Sequence, residues 1–301
     1  MEDPNDYCVL AGWKGSGAVV EMTLRRAPFI ALLLWGCGFG VAHAQTPSPL
    51  QEWQYENGII LEKLFAGKMP TWQRVLGVSA ETQPTYPGSR AYKEQSGPVF
   101  DIRYKDIAFF SVGEGLGVNL MRGEQFRAGI ALGFDLGRHV SDDYPRLHGL
   151  NDIGNAPTLK AFASVVLSKQ IPAIVRVDIR RILAGSEGWV GDVQAYTPLP
   201  GSSERFVMFA GPSITFASRE HMQKWFGVDP SQTLASGFSP YYAHGGASAA
   251  GMGFSATKFF SPHWLLNVQT AVSRRLGSAA QSPITSTTTD GLLAISFEYR
   301  W

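Results

Sequence analysis

Apolar and polar residues alternate with a period of two over several long stretches of the chain. From Phe126, FRAGIALGFDLGR places Ala128, Ile130, Leu132, Phe134 and Leu136 on one face and Arg127, Gly129, Ala131, Gly133 and Asp135 on the other. From Ile171, IPAIVRVDIRRIL sets Ala173, Val175, Val177 and Ile179 against Arg176, Asp178 and Arg180. The rhythm returns with Leu266, Val268, Thr270 and Val272 against Asn267, Gln269 and Ser273. It closes the chain with Leu293, Ile295, Phe297, Tyr299 and Trp301 against Ser296, Glu298 and Arg300. Successive side chains of a strand point to opposite faces, so these stretches predict strands with one greasy face. Twelve are predicted, over 72–81, 97–104, 107–112, 115–121, 126–137, 158–168, 172–183, 189–197, 205–217, 249–259, 263–275 and 290–301.

Alternation does not say what the greasy face meets. It would face a dry core in a soluble sandwich and lipid in a membrane barrel. Loop lengths separate the two. Connections at Lys105-Asp106, 122–125, 169–171, 197–204 and Ser261-Pro262 fall on one side and are short. Those near 82–96, 138–157, 218–248 and 276–289 fall on the other and are long. Short periplasmic turns with long external loops are the habit of outer-membrane barrels, and an even strand number closes the sheet without a free edge. The expected fold is therefore all-β: a transmembrane antiparallel up-and-down β-barrel of about 12 strands (10–12), both termini periplasmic, filling 71–301.

Composition agrees. The 301 residues contain 33 glycines, 12% aromatic and 17% charged residues, against about 25% charged in an average soluble domain. A net charge of +1 with no Lys/Arg stripe gives no reason to expect a nucleic-acid partner. From Met22 the chain reads MTLRRAPFIALLLWGCGFGVAHAQ: basic Arg25 and Arg26, an apolar run to Val41, then Ala42-His43-Ala44 before Gln45. This is the order of a secretory signal peptide over 22–44, cleaved after Ala44, with Ala42 and Ala44 as the small residues seated by the peptidase. A membrane anchor and a lipoprotein site at Cys37 are the alternatives; the apolar run is short for the first, and Trp35 is bulky for the second. Cleavage removes both cysteines, Cys8 and Cys37. Residues 1–21 read as an upstream extension and 45–70 as a periplasmic N-terminal segment.

The inward positions carry the informative chemistry. Asp101, Arg103, Arg127, Asp135, Arg176, Asp178, Arg180, Asp192, Glu298 and Arg300 all fall on the polar face. Mixed signs there either form a cross-barrel ion-pair network that plugs the lumen or line a narrow pore; in a barrel this small the plug is favoured, because side chains fill the interior. A second candidate is the loop string HMQKWFGV, which puts Met222, Trp225 and Phe226 on one side of a short helix. These residues form either a contact surface or a lid folded over the barrel mouth. Catalysis has little support. Asp142, Asp143 and His148 share one long loop, a composition that could serve a rim protease, but a solvated polar loop is favoured because loops are commonly acidic and polar without doing chemistry. There is no G-x-S-x-G turn, no histidine pair at metal-ligand spacing, and the glycines of Gly113 to Gly117 precede no helix. No enzyme activity, cofactor or metal is expected.

Particular strings resemble the MipA/OmpV family, the MltA-interacting outer-membrane proteins. In order they are PTYPG from Pro84, PVFDIRYKD from Pro98, GLGVNLMR from Gly115, AGIALGFDLGR from Ala128, LNDIGNAP from Leu150 and GPSITFAS from Gly211. HMQKWFGVDPSQ from His221, SPHW from Ser261, SRRLGSAAQSPIT from Ser273 and FEYRW from Phe297 complete the set. The leader before Met22 and the stretch 51–68 depart from the pattern. The terminal aromatics Phe297, Tyr299 and Trp301 resemble the signal read by the barrel-assembly machinery. The resemblance implies a barrel set among outer-membrane lipid and lipopolysaccharide. It further implies a scaffold for peptidoglycan-remodelling enzymes, a lytic transglycosylase and a murein synthase, with surface antigen or adhesin roles in other members. A small channel with a charged lumen is the alternative function.

Overall fold

A computed structural model of the chain describes residues 70–301 apart from 124, 168–172 and 204. The extension 1–21, the signal peptide with Ala42, Ala44 and Gln45, and the segment 45–69 lie outside the described residues. Twelve strands run β1 (Trp72–Pro84), β2 (Tyr92–Tyr104), β3 (Ala108–Ser111), β4 (Gly115–Arg122), β5 (Phe126–Asp135), β6 (Ala156–Val166), β7 (Ile174–Ile182), β8 (Trp189–Pro198), β9 (Phe206–Ala217), β10 (Gly246–Phe259), β11 (Trp264–Arg275) and β12 (Thr289–Arg300). Each is antiparallel to its neighbour in sequence, and β12 pairs with β1, so the sheet is a closed barrel. Closure gives backbone polar groups partners without water, which a lipid-embedded sheet requires. At the closing seam Val78 faces Phe297 and Val75 faces Arg300. A Cβ on Gly77 would lie 2.4 Å from the Phe297 carbonyl oxygen, so glycine is what lets β12 approach there.

Burial settles what alternation left open. The exposed side chains are the apolar ones, among them Val78, Leu120, Ile130, Leu132, Phe134, Val177, Val272 and Ile295, whereas Asp101, Arg103, Arg127, Lys160, Arg176, Asp178 and Asp192 are buried. Phe134 is 65% exposed and Arg176 0%. A water-soluble sheet would show the reverse, because exposing apolar area costs about 25 cal/mol per Å² while burying charge demands partners. The barrel is built for a hydrocarbon surround. No helix among the described residues is long and apolar enough to cross a membrane. Near the end of the barrel holding the C-terminus, Trp264 stacks on Phe297 with centroids 4.9 Å apart, His263 on Tyr299 at 5.6 Å, and Tyr299 lies 5.8 Å from Trp301. Such a ring belt suits the polar–apolar boundary.

Several boundaries differ from expectation: β1 runs to Pro84 and not 81, β6 spans Ala156–Val166 and not 158–168, β10 begins at Gly246 and not 249, and β2 shows the largest shift. β2 begins at Tyr92, not at 97, because β1 and β2 stay paired up to Pro84 opposite Tyr92 and turn over 85–91. The connection over 82–96 is therefore mostly hairpin. Lys93, Glu94, Gln95 and Ser96 are polar on both faces, so no apolar contrast marks that part as strand.

The three longest connections, over 136–155, 218–245 and 276–288, lie at one end of the barrel. With the 85–91 turn they form a cap whose apolar core includes Tyr86, Leu147, Leu150, Ile153, Met222, Trp225, Phe226, Val228 and Ile284. Polar ties join the loops: the Tyr86 hydroxyl donates to Ile284 O at 3.0 Å, Ser282 to Phe226 O at 2.6 Å and Tyr241 to Ser278 O at 2.9 Å.

Candidate functional site

Beneath the cap, inward-facing charges from half of the wall converge. The Arg103 Nε on β2 donates to both Asp101 oxygens at 2.9 and 3.1 Å, and its Nη2 makes a short bond to Glu114 in the turn between β3 and β4. Arg176 of β7 lies 3.7 Å from Glu114 and 3.7 Å from Asp178. Arg180 links Asp178 at 3.6 Å to Asp192 of β8 at 3.1 Å, and Thr215 of β9 donates to Asp192 at 2.5 Å. At the opposite end from the cap, Arg127 of β5 meets Asp106 at 2.7 Å. Asp106 sits in the tight turn after β2 with φ 57°, a left-handed position that Asp tolerates, and it also accepts from Asn119 at 3.1 Å.

Guanidiniums also cover rings. Arg103 lies 5.4 Å from the Phe109 centroid and Arg176 5.0 Å from that of Phe162, while the two rings meet edge to face at 5.8 Å. The chain Asp101–Arg103–Glu114–Arg176–Asp178–Arg180–Asp192 thus ties β2, the β3–β4 turn, β7 and β8 across the interior. Buried charges are tolerable only when paired in this way. Apart from Glu298 and the Arg275–Asp290 pair at 3.1 Å, the β10–β12 wall offers small or neutral residues, including Gly251, Ser255, Asn267, Gln269 and Ser296, which leaves room for long arginines.

The other three predicted inward charges play separate parts. Asp135 receives the Gly137 N–H at 2.8 Å and Ser186 at 3.4 Å, so it braces the rim under the cap. Glu298 is buried and accepts from Ser296. Arg300 is half-buried, its guanidinium 5.2 Å from the Phe259 ring. Sequence reasoning missed Glu114, Asp106 and Lys160. The first two lie in turns, where period-two logic stops, and only their carboxylates beside inward arginines could have flagged them. Lys160, on β6, is 3% exposed; FASVV after it gives a weak polar contrast.

Met222, Trp225 and Phe226 are buried in the cap core and present little surface to an external partner. Their helix, Arg219–Phe226, is capped by Ser218, whose hydroxyl accepts the His221 N–H at 3.5 Å and the Trp189 N–H at 3.1 Å. Arg138 crosses this core: its Nη1 donates to Trp225 O at 2.7 Å, and burial lowers its pKa to about 10. Burial likewise lowers the His221 pKa to about 4; Arg180 adds to the drop, and Asp135 with a backbone bond to Glu187 opposes it. The rim-protease set does not assemble. Asp142 accepts the His139 N–H at 3.1 Å, Asp143 accepts from Ser89 at 3.0 Å, and the His148 ring bonds to Pro145 O at 3.2 Å. Among the described residues no group of His, Cys, Asp and Glu could hold a metal ion.

Among solved structures the chain is similar to the translocator domain of the autotransporter NalP from Neisseria meningitidis, at 11% identity and a TM-score of 0.39, covering 85% of this chain and 99% of that one. It is similar to an outer-membrane channel from Pseudomonas putida F1 (8%, TM-score 0.37, 77% and 97% covered) and to OmpT of Vibrio cholerae (8%, TM-score 0.34, 78% and 99% covered). No curated protein matches the chain. The family described as MltA-interacting protein MipA matches residues 76–301. That span runs from the middle of β1 through the charged lumen and the cap to the last residue. With its inside-out closed sheet, the chain is an outer-membrane β-barrel and belongs to the family of MltA-interacting protein MipA.

Proposed function

We propose that this barrel is a closed, non-catalytic scaffold for peptidoglycan-remodelling machinery, holding a lytic transglycosylase and a murein synthase at the outer membrane. The observation that carries the reading is the buried ion-pair chain: Arg176 is 0% exposed among pairs that join facing walls. In this reading the paired charges close the lumen to ions, which disfavours the channel alternative and makes binding the barrel's work. The family's description as MltA-interacting supports an enzyme of that class as partner. In this reading both termini and the short turns are periplasmic, and the long-loop cap faces outward among lipopolysaccharide. A murein enzyme then meets the turn over 199–205 or the segment 45–70, while the cap presents an antigenic or adhesive surface. The barrel-assembly machinery would engage Phe297, Tyr299 and Trp301; of these, Phe297 and Trp301 are exposed on the outer face. The test is co-purification of the full chain, solubilised from outer membranes, with a purified lytic transglycosylase and a purified murein synthase. The scaffold reading expects at least one to co-elute, and failure of both overturns it.

A further inference from the structure

At the end of the barrel holding the C-terminus, β1 and β2 present a basic and aromatic corner to the outside. Trp72 faces Tyr104 across the two strands, and their rings lie 4.8 Å apart. Even-numbered residues of β1 point outward, as the exposed Trp72, Leu76 and Val78 show, so Arg74 shares that face. Its guanidinium turns back toward the rim and lies 5.1 Å from the Trp72 ring centroid. Lys105, the first residue of the turn after β2, holds its ammonium 5.5 Å from the Tyr104 ring. One cation therefore reaches the ring pair from the lipid side and the other from the aqueous side. Long basic side chains at such a boundary keep their stems in the apolar layer and their heads in the polar one.

Neither cation is neutralised. Among the described residues, the Arg74 and Lys105 side chains have no ion-pair or hydrogen-bond partner. Asp106, next in sequence to Lys105, is buried, and Arg127 holds its carboxylate at 2.7 Å. The outward neighbours Leu76, Val78, Phe100, Ile102, Phe297 and Tyr299 carry no charge. A ring face attracts a cation but occupies none of its N–H donors, which number five on a guanidinium and three on an ammonium. The corner thus joins two positive charges with open donors to an apolar surface running into the membrane. The opposite end of the same outward face, where Glu94 lies, offers no such pair.

We propose that this corner binds the headgroup phosphate of an anionic phospholipid. Arg74 and Lys105 grip the phosphate, and the acyl chains lie along Leu76, Val78 and Ile102, which are exposed and continuous with the lipid-facing band. A zwitterionic lipid carries its own cation beside the phosphate and gains less from the pair. Free phosphate forgoes the apolar contact. With the short turns in the periplasm the lipid belongs to the periplasmic leaflet, but the site depends neither on that orientation nor on the scaffold role.

The test is native mass spectrometry of the heat-modifiable full chain in detergent, titrated with dioleoylphosphatidylglycerol, dioleoylphosphatidylcholine or inorganic phosphate. A basic residue beside an anionic headgroup is worth about fivefold in affinity, so two predict a preference for phosphatidylglycerol over phosphatidylcholine of roughly 25-fold. The Arg74→Gln, Lys105→Gln double variant should fall to near parity; Lys105→Gln alone, which should lose about fivefold, serves if the double variant does not assemble. Arg90→Gln with Arg219→Gln removes the same charge from exposed positions at the cap end and should keep the wild-type preference. Equal binding of the two lipids by the wild type, a preference that survives loss of Arg74 and Lys105, or its disappearance in the cap-end control overturns the proposal. Inorganic phosphate binding as tightly as phosphatidylglycerol would make this a free-anion site and overturn it as well.

Discussion

Glu114→Gln is the most searching perturbation of the lumen. The carboxylate is 2% exposed, bonds Arg103 and lies 3.7 Å from Arg176. Making it neutral leaves two guanidiniums in a dry interior with fewer counter-charges, and removing one partner of a buried pair costs about 3–5 kcal/mol. Arg103 keeps Asp101 and Arg176 keeps Asp178, so the lower end, about 3 kcal/mol, is expected. If the interaction is absent from the transition state for unfolding, that is about a hundredfold faster unfolding. The assay follows loss of the compact form in SDS gels against time at raised temperature. A cycle with Arg176→Met isolates the pair: the double variant should lose less than the sum of the singles, by about 1 kcal/mol or more, since the orphaned cation is then gone. Wild-type kinetics for Glu114→Gln, or strict additivity, would refute the view that this turn residue holds the network.

Other consequences follow from the seam and the cap. Gly77→Val should block barrel closure, because its Cβ would stand 2.4 Å from Phe297 O; the readout is loss of the heat-modifiable band, and a normal band would count against the seam geometry. Ser218→Ala should cost about 1 kcal/mol locally, visible as faster hydrogen exchange across 219–226 with barrel strands unchanged. The cap should weaken in acid. His221 has a closed-state pKa of about 4, below its ordinary 6.5, so its stabilisation is complete above 6.5. It is lost as pH falls through that window, by up to about 3 kcal/mol. Protease cleavage within 219–243 should rise from neutral pH to pH 4 and do so less in His221→Leu; equal pH dependence in both would remove His221 from the explanation.

Strands were legible wherever the chain crosses an apolar layer with a polar side behind it. β7 is the clear case, with Val175, Val177 and Ile179 against Arg176, Asp178 and Arg180. The start of β2 was not, because Lys93 to Ser96 lie beyond that contrast. Inward charges could be assigned a face but not partners: Arg176 pairs with Glu114, 62 positions away in sequence, and only closure of the barrel brings them together. The direction of Trp225 and Phe226 was open for a related reason. An amphipathic helix shows that it has an apolar face, and the neighbouring loops that decide what it covers are set by tertiary contacts such as Tyr86 with Ile284.

The most direct test of a filled, binding-only barrel is planar-bilayer recording of the purified full chain, inserted and verified as heat-modifiable. Absence of unitary conductance steps in the wild type, with steps emerging when Arg103, Arg176 and Arg180 are together replaced by alanine, is the predicted result. Steady wild-type conductance would contradict the plugged lumen and put the channel function in place of the scaffold.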